Sequence, residues 1–177
     1  MSYRLVAAAI KGDQLLALPD VMNTVGLKGY GAPQRAAAWS DVADEVIAGS
    51  ASRATPVAAC VAGAWTMILS EVIALAALEG DEALTSLAQS RGWSLFSVVA
   101  DSTTGMYGYR LVEPAGTRFV FVEGGRADES GSAFECERPI AADDYSEENL
   151  LDVMDHLGLD FEQGLEEASP VLIWRHG

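Results

Sequence analysis

The residues able to do nucleophilic or metal chemistry are few: His156, His176, Cys60 and Cys136. Hydrolysis by an activated serine or cysteine needs a histidine oriented by an acid and placed beside the nucleophile. His176 is the penultimate residue, and His156 falls in the last turn of a predicted helix, where the helix dipole favours its charged form. No nucleophile-elbow pattern occurs. Zinc requires three or four clustered Cys, His or carboxylate ligands, which two separated cysteines and two separated histidines do not supply. Asp152, Asp155 and His156 are neighbours on one helix and read as a solvated face. The run from Asp143 to Asn149 lacks the glycine of a calcium loop. A glycosidase pair of carboxylates can always be found among 26 acids, and nothing singles one out. No catalytic residue, metal ligand or cofactor is expected.

Charge is the more distinctive chemistry. Residues 1–90 hold nine acids and five bases, residues 91–177 seventeen acids and six bases, within a formal net charge of −15. Between Arg138 and Arg175 there is no Lys or Arg, and ten acids: Asp143, Asp144, Glu147, Glu148, Asp152, Asp155, Asp160, Glu162, Glu166 and Glu167. Opposite charges at i and i+4 stabilise a helix by ~0.2–0.5 kcal/mol per pair, so a one-sign run forgoes that gain on every turn. Such a field repels nucleic acid and anionic membranes, and it accelerates encounter with a basic protein. The expected partner-binding residues are Asp143, Asp144, Tyr145, Glu147, Glu148, Asp152 and Asp155, with Tyr145 as the aromatic anchor.

Two further sets have binding chemistry. Gly26-Leu-Lys-Gly-Tyr-Gly-Ala-Pro33 is glycine-rich like a phosphate cradle, but a helix precedes it where a cradle needs a strand, and it reads as a loop between helices. Trp39, Trp65, Tyr107 and Tyr109 could line a pocket between the N-terminal helices and a sheet, the alternative of a small-ligand protein or enzyme.

The elements that must position these residues form an α+β pattern. Trp93 to Ala100, Tyr107 to Glu113 and Thr117 to Glu123 are rich in β-branched and aromatic residues. Gly- and Pro-bearing turns separate them, which predicts an antiparallel β-meander over about 93–123. Tyr3 to Ile10, Val57 to Val61, Ala64 to Leu69, Phe134 to Ile140 and Val171 to Arg175 read as further strands. Helices are predicted from Pro19, over Gln34 to Ala48, from Ser70 to Gly80, from Asp81 to Gly92 and from Ser146 to Gly158. Ser and Asp stand at N-cap positions and Gly at several C′ positions. Gly124 to Ser132 reads as a surface loop. The helices are expected on one face of the sheet. The chain is expected to be one domain, residues 57–177 forming the core and residues 1–50 a helical, loosely attached part.

Half the residues are apolar, no apolar run approaches the ~20 residues of a membrane span, and the opening stretch lacks the flanks of a signal peptide. Two cysteines make no disulfide framework. A cytoplasmic protein is expected.

With strands at 57–69, two helices, a three-pass sheet, an acidic helix and a final strand, the chain resembles small acidic α+β immunity proteins of bacterial toxin–immunity systems. The strand Gly63-Ala-Trp-Thr-Met-Ile-Leu69 and the hairpins from Ser102 to Gly116 also look like uncharacterised actinobacterial α+β proteins. The resemblance implies a non-enzymatic inhibitor that docks on a basic toxin surface.

Overall fold

Neighbouring residues of a strand point to opposite sides of a sheet, so a strand apolar at every position must be covered on both sides. That condition holds for the middle of this chain and decides its architecture. The structure, a computed structural model, describes residues 4–47, 55–137, 145–168 and 170–177. Its strands are β1 (Arg4–Lys11), β2 (Gln34–Ala36), β3 (Val57–Ala62), β4 (Trp65–Leu69), β5 (Leu95–Asp101), β6 (Met106–Glu113), β7 (Gly116–Glu123), β8 (Arg126–Ser130) and β9 (Val171–Trp174). They form one antiparallel sheet in the order β2-β9-β3-β4-β1-β5-β6-β7-β8. The expected α+β class and meander are present, and the meander extends through β8.

Helices cover both faces of the sheet, not one. In β1, Ala8 and Ile10 face α1 (Leu18–Thr24), α3 (Glu71–Glu79) and α4 (Glu82–Arg91), packing with Leu18, Ile73, Ala77 and Leu84. Ala7 and Ala9 face the opposite core, to which α2 (Ala43–Ile47) contributes Val46, α5 (Glu147–Leu157) Leu150 and Met154, and α6 (Phe161–Glu167) Phe161 and Leu165. The same division runs through β3, β4 and β5, where Cys60, Met67 and Phe96 lie on the second side and Ala59, Ile68 and Leu95 on the first. A sheet covered on one side would leave one of these rows in water.

The N-terminal part is not loosely attached. β1 pairs with β4 from Ala8↔Ile68 to Lys11↔Trp65 and with β5 from Arg4↔Asp101 to Ile10↔Leu95. The predicted helix over Gln34 to Ala48 is instead the edge strand β2, one 3-10 turn at Trp39–Asp41 and the short α2. Pairing of Gln34 with Ile173 and of Ala36 with Val171 overrides the local helical pattern. Val171–Trp174 is an interior strand between β2 and β3. Gly124 to Ser132 is a hairpin, not a loop. Gly124 and Gly125 both have positive φ, 56° and 74°, as a tight turn between Glu123 and Arg126 requires. Phe134 to Glu137 is a turn, and the remainder of the strand expected there lies outside the described residues.

Thr66 shows how the strands are locked to their connections. Fully buried, its hydroxyl donates to Gly12 O at 2.7 Å and accepts from Gln14 N at 2.7 Å. Thr66→Val keeps the shape and strands both backbone groups, so a loss of about 1–3 kcal/mol is expected. Urea unfolding of the variant measures it, and a loss under ~0.5 kcal/mol would show that neither bond matters.

Candidate partner-docking face

The acidic segment folds into two helices for local reasons. At the start of α5, Ser146 N donates to Asn149 Oδ1 at 2.9 Å, and Gly158 ends the helix in the left-handed conformation. Glu147 and Glu148 stand in the first turn and His156 in the last, each favoured there by the helix dipole. Leu150, Val153 and Met154 are buried against the sheet. At the other end, the Trp65 indole N–H donates to Leu157 O at 3.0 Å, satisfying a carbonyl that the helix leaves free. In α6, Asp160 accepts from Gln163 N at 2.8 Å, and Phe161 and Leu165 are buried. Gly164 lets α6 lie against β4, since a Cβ there would stand 2.7 Å from Met67 Cε.

Burial of the apolar stripe fixes where the acids go. At 100° per residue, Glu148, Asp152 and Asp155 lie opposite Leu150, Val153 and Met154. Glu148 and Asp155 are exposed, while Glu147 and Asp152 are half-buried. Asp160, Glu166 and Glu167 are exposed on α6, in the same layer. Among the described residues, the arginine ion pairs are Arg4 with Glu71 and Asp101, Arg91 with Asp20, Arg118 with Glu129 and Glu137, and Arg175 with Glu45. Among the described residues, Glu148, Asp155, Asp160, Glu166 and Glu167 have no cationic partner. These five carboxylates belong to the layer of α5 and α6 and form no ion pair with arginine or lysine among the described residues. Asp143 and Asp144 lie outside the described residues.

Tyr145 cannot present its ring to a partner. It is 9 % exposed and belongs to the core. Tyr145 lies beside a buried ionic network. Arg118, 4 % exposed, donates from Nε to both Glu137 oxygens at 3.0 and 3.1 Å, from Nη2 to Glu129 at 2.8 Å and from Nη1 to the Ser130 and Gly131 carbonyls. Tyr109 donates to Glu137 Oε1 at 2.6 Å and Phe134 N donates to the same oxygen at 2.7 Å. Burial alone would raise the Glu137 carboxyl, but the hydrogen bonds from Arg118, Tyr109 and Phe134 outweigh it and hold it below the ordinary range. Burial, then the bond to Glu137, pushes the Tyr109 phenol up. The Tyr145 phenol is pushed up by burial and then by the charge of Glu137. The signal was readable: with Val120 and Val122 facing inward, period two places Arg118 inward as well.

Trp39, Trp65, Tyr107 and Tyr109 do not converge on one pocket. Trp65 and Tyr109 are buried and hydrogen-bonded within the core. Trp39 lines a cavity of about 210 Å³ with Leu5, Val46, Leu69 and Leu165. Among the described residues no three His, Cys, Asp or Glu side chains stand close enough to hold a metal ion. His156 lies against Phe134 and His176 against Tyr30. Cys60 and Cys136 are free thiols, and burial pushes Cys60 up to about 11, far from a nucleophile's range. No helix among the described residues is long and apolar enough to cross a membrane.

Comparison with protein-family models, with curated proteins and with solved structures found no match to this chain.

Proposed function

We propose that this chain is a non-enzymatic binding protein of the immunity or antitoxin type, acting in the cytoplasm, whose α5–α6 face docks on a basic protein surface. The observation that supports this reading is the set of exposed carboxylates of Glu148 and Asp155 on α5 and of Asp160, Glu166 and Glu167 at α6, which pair with no arginine among the described residues. A face without Lys or Arg forgoes the i,i+4 ion pairs that would steady its helices and gains attraction toward a cationic surface. The apolar contact expected of Tyr145 passes to Leu151, which lies on the same helix as Glu148 and Asp155 and is 44 % exposed. An apolar side chain ringed by acids fits a partner that presents an apolar spot among Lys and Arg.

The test is affinity capture from the native host at low and moderate salt, with the wild type and the Glu148→Lys/Asp155→Lys variant in parallel. A basic protein retained by the wild type, released as salt rises and missed by the variant is the expected result. Retention of no basic protein at either salt, or equal retention by both baits, would sink the reading.

A further inference from the structure

Acids outnumber bases 26 to 11 in this chain, so a half-buried arginine left without a carboxylate calls for a cause. Arg110, in β6, is such a residue. Among the described residues it is the one basic side chain that is neither exposed nor ion-paired. Its guanidinium is nonetheless held firmly. Nε donates to Leu78 O at 2.7 Å, at the negative end of α3. A Cβ built on Gly80 would stand 3.0, 3.1 and 3.2 Å from Cζ, Nη1 and Nη2, so the backbone there covers one face of the group. The ring centroid of Phe119, its cross-strand neighbour, lies 4.4 Å from Cζ. Nη1 and Nη2 donate to no group among the described residues, and since no fully buried side-chain nitrogen there lacks a partner, both reach the surface. Glu79 and Asp81 flank Gly80 yet neither pairs with Arg110. Burial holds its pKa below the ordinary value, with no carboxylate charge to offset it.

The surface beside this guanidinium is aromatic. Phe119 and Phe121 are half-buried and belong to neither core. Their rings are parallel to within 4°, with centroids 6.5 Å apart. Phe121 leans over Gly108, where a Cβ would come within 2.7 Å of its Cδ2. Arg110 and the two rings alternate with Tyr109, Leu111, Val120 and Val122, which face the α5–α6 core, and so lie on the opposite side of the sheet. The core beneath α3 and α4 includes Val112 of β6 and no residue of β7 or β8.

We infer that this platform binds a monocarboxylate carried on an aromatic ring, its oxygens accepting from Arg110 Nη1 and Nη2 and its ring packing on Phe119 and Phe121. The open edge of a guanidinium presents two parallel donors that match a carboxylate, and a fork already anchored loses little freedom on binding. Parallel half-exposed rings favour an aromatic body, which stacks on them or meets them edge-on. A single charge suits a molecule of net charge −15, which repels a dianion more strongly. Asp128, directly opposite Phe121 in β8, sets the orientation, with the anion at Arg110 and the ring reaching toward Phe121. The site is independent of the acidic face.

The experiment is an NMR titration of the ¹⁵N-labelled full chain with benzoate, benzyl alcohol and phenyl phosphate in parallel. Benzoate is expected to move the amides of Gly80, Arg110, Phe119 and Phe121 together and to saturate, and the alcohol to leave them in place. Arg110→Gln is expected to weaken benzoate binding about 10- to 100-fold, the worth of a charge-assisted pair. Should that variant not fold, Phe121→Ala, which leaves every contact of Arg110 intact, is expected to weaken it about 2- to 10-fold. No movement at millimolar benzoate, equal movement with benzyl alcohol, tighter binding of phenyl phosphate, or undiminished binding in the folded variant would overturn the assignment.

Discussion

Replacing Arg118 with alanine is expected to lower the unfolding free energy by about 3–5 kcal/mol, the largest effect of a single substitution outside the apolar core. The reason is what the change leaves behind. Glu137 has a side chain 5 % exposed and would keep its charge without the guanidinium that balances it. The Ser130 and Gly131 carbonyls would also lose their donor. Glu137→Gln is the milder change, because an amide oxygen still accepts from Tyr109 and Phe134, and about 1–3 kcal/mol is expected. The pair also separates in acid. Since the folded state holds the Glu137 carboxyl below its ordinary value, its contribution is complete above the unfolded carboxylate range near pH 4. It is lost as pH falls through the lower folded value. Wild type should therefore lose more stability below about pH 4 than Glu137→Gln does. Urea unfolding across that range decides it, and parallel pH profiles would show that Glu137 is not bound more tightly as a carboxylate than as an acid.

Reversing charge on α5 is expected to move stability and binding in opposite directions. Asp155 stands one turn from Asp152 and near the C-terminal end of the helix, where the dipole disfavours an anion. Asp155→Lys turns both terms favourable and should stabilise the fold by about 0.5–1.5 kcal/mol at low salt. Glu148→Lys gains an attractive partner at Asp152 but gives up a carboxylate in the first turn, so its two terms nearly cancel. The double variant should nonetheless associate with a basic partner about 10- to 1,000-fold more slowly at low salt, the difference shrinking as salt rises. A melting curve and stopped-flow association measure the two effects. A variant that is less stable, or one that binds as fast as wild type, would remove the reason given for the one-sign ridge.

The parts that were legible in the sequence are those decided within a few residues. Ser70 and Asp81 accept hydrogen bonds from Ile73 N and Leu84 N, and Gly80 and Gly92 end their helices left-handed, where local capping signals placed them. The acid ridge of α5 followed from helical spacing alone. What was missed depends on distant partners. β2 is a strand because Val171 to Ile173 lies beside it. β8 carries Arg126, Asp128 and Glu129 on an exposed edge, where charge discourages pairing with other chains and hides the apolar alternation of a strand. Tyr145 looked like an exposed aromatic among acids; its burial follows from the core beneath α5. The setting of Arg110 joins the end of α3 to the middle of β7, which no local pattern announces.

The seat of β1 in mid-sheet has a consequence for assembly. Hairpins β3–β4 and β5–β8 close between neighbours along the chain, but β1 must be threaded between them, meeting β4 on one flank and β5 on the other. During synthesis its alanine-rich ribbon emerges before either neighbour and waits for Asp101 before both flanks exist, and closing such distant pairings is slow. Until then each hairpin block carries a vacant apolar border, so the nascent protein is most vulnerable to misassembly through the very strand that later lies deepest in the finished sheet.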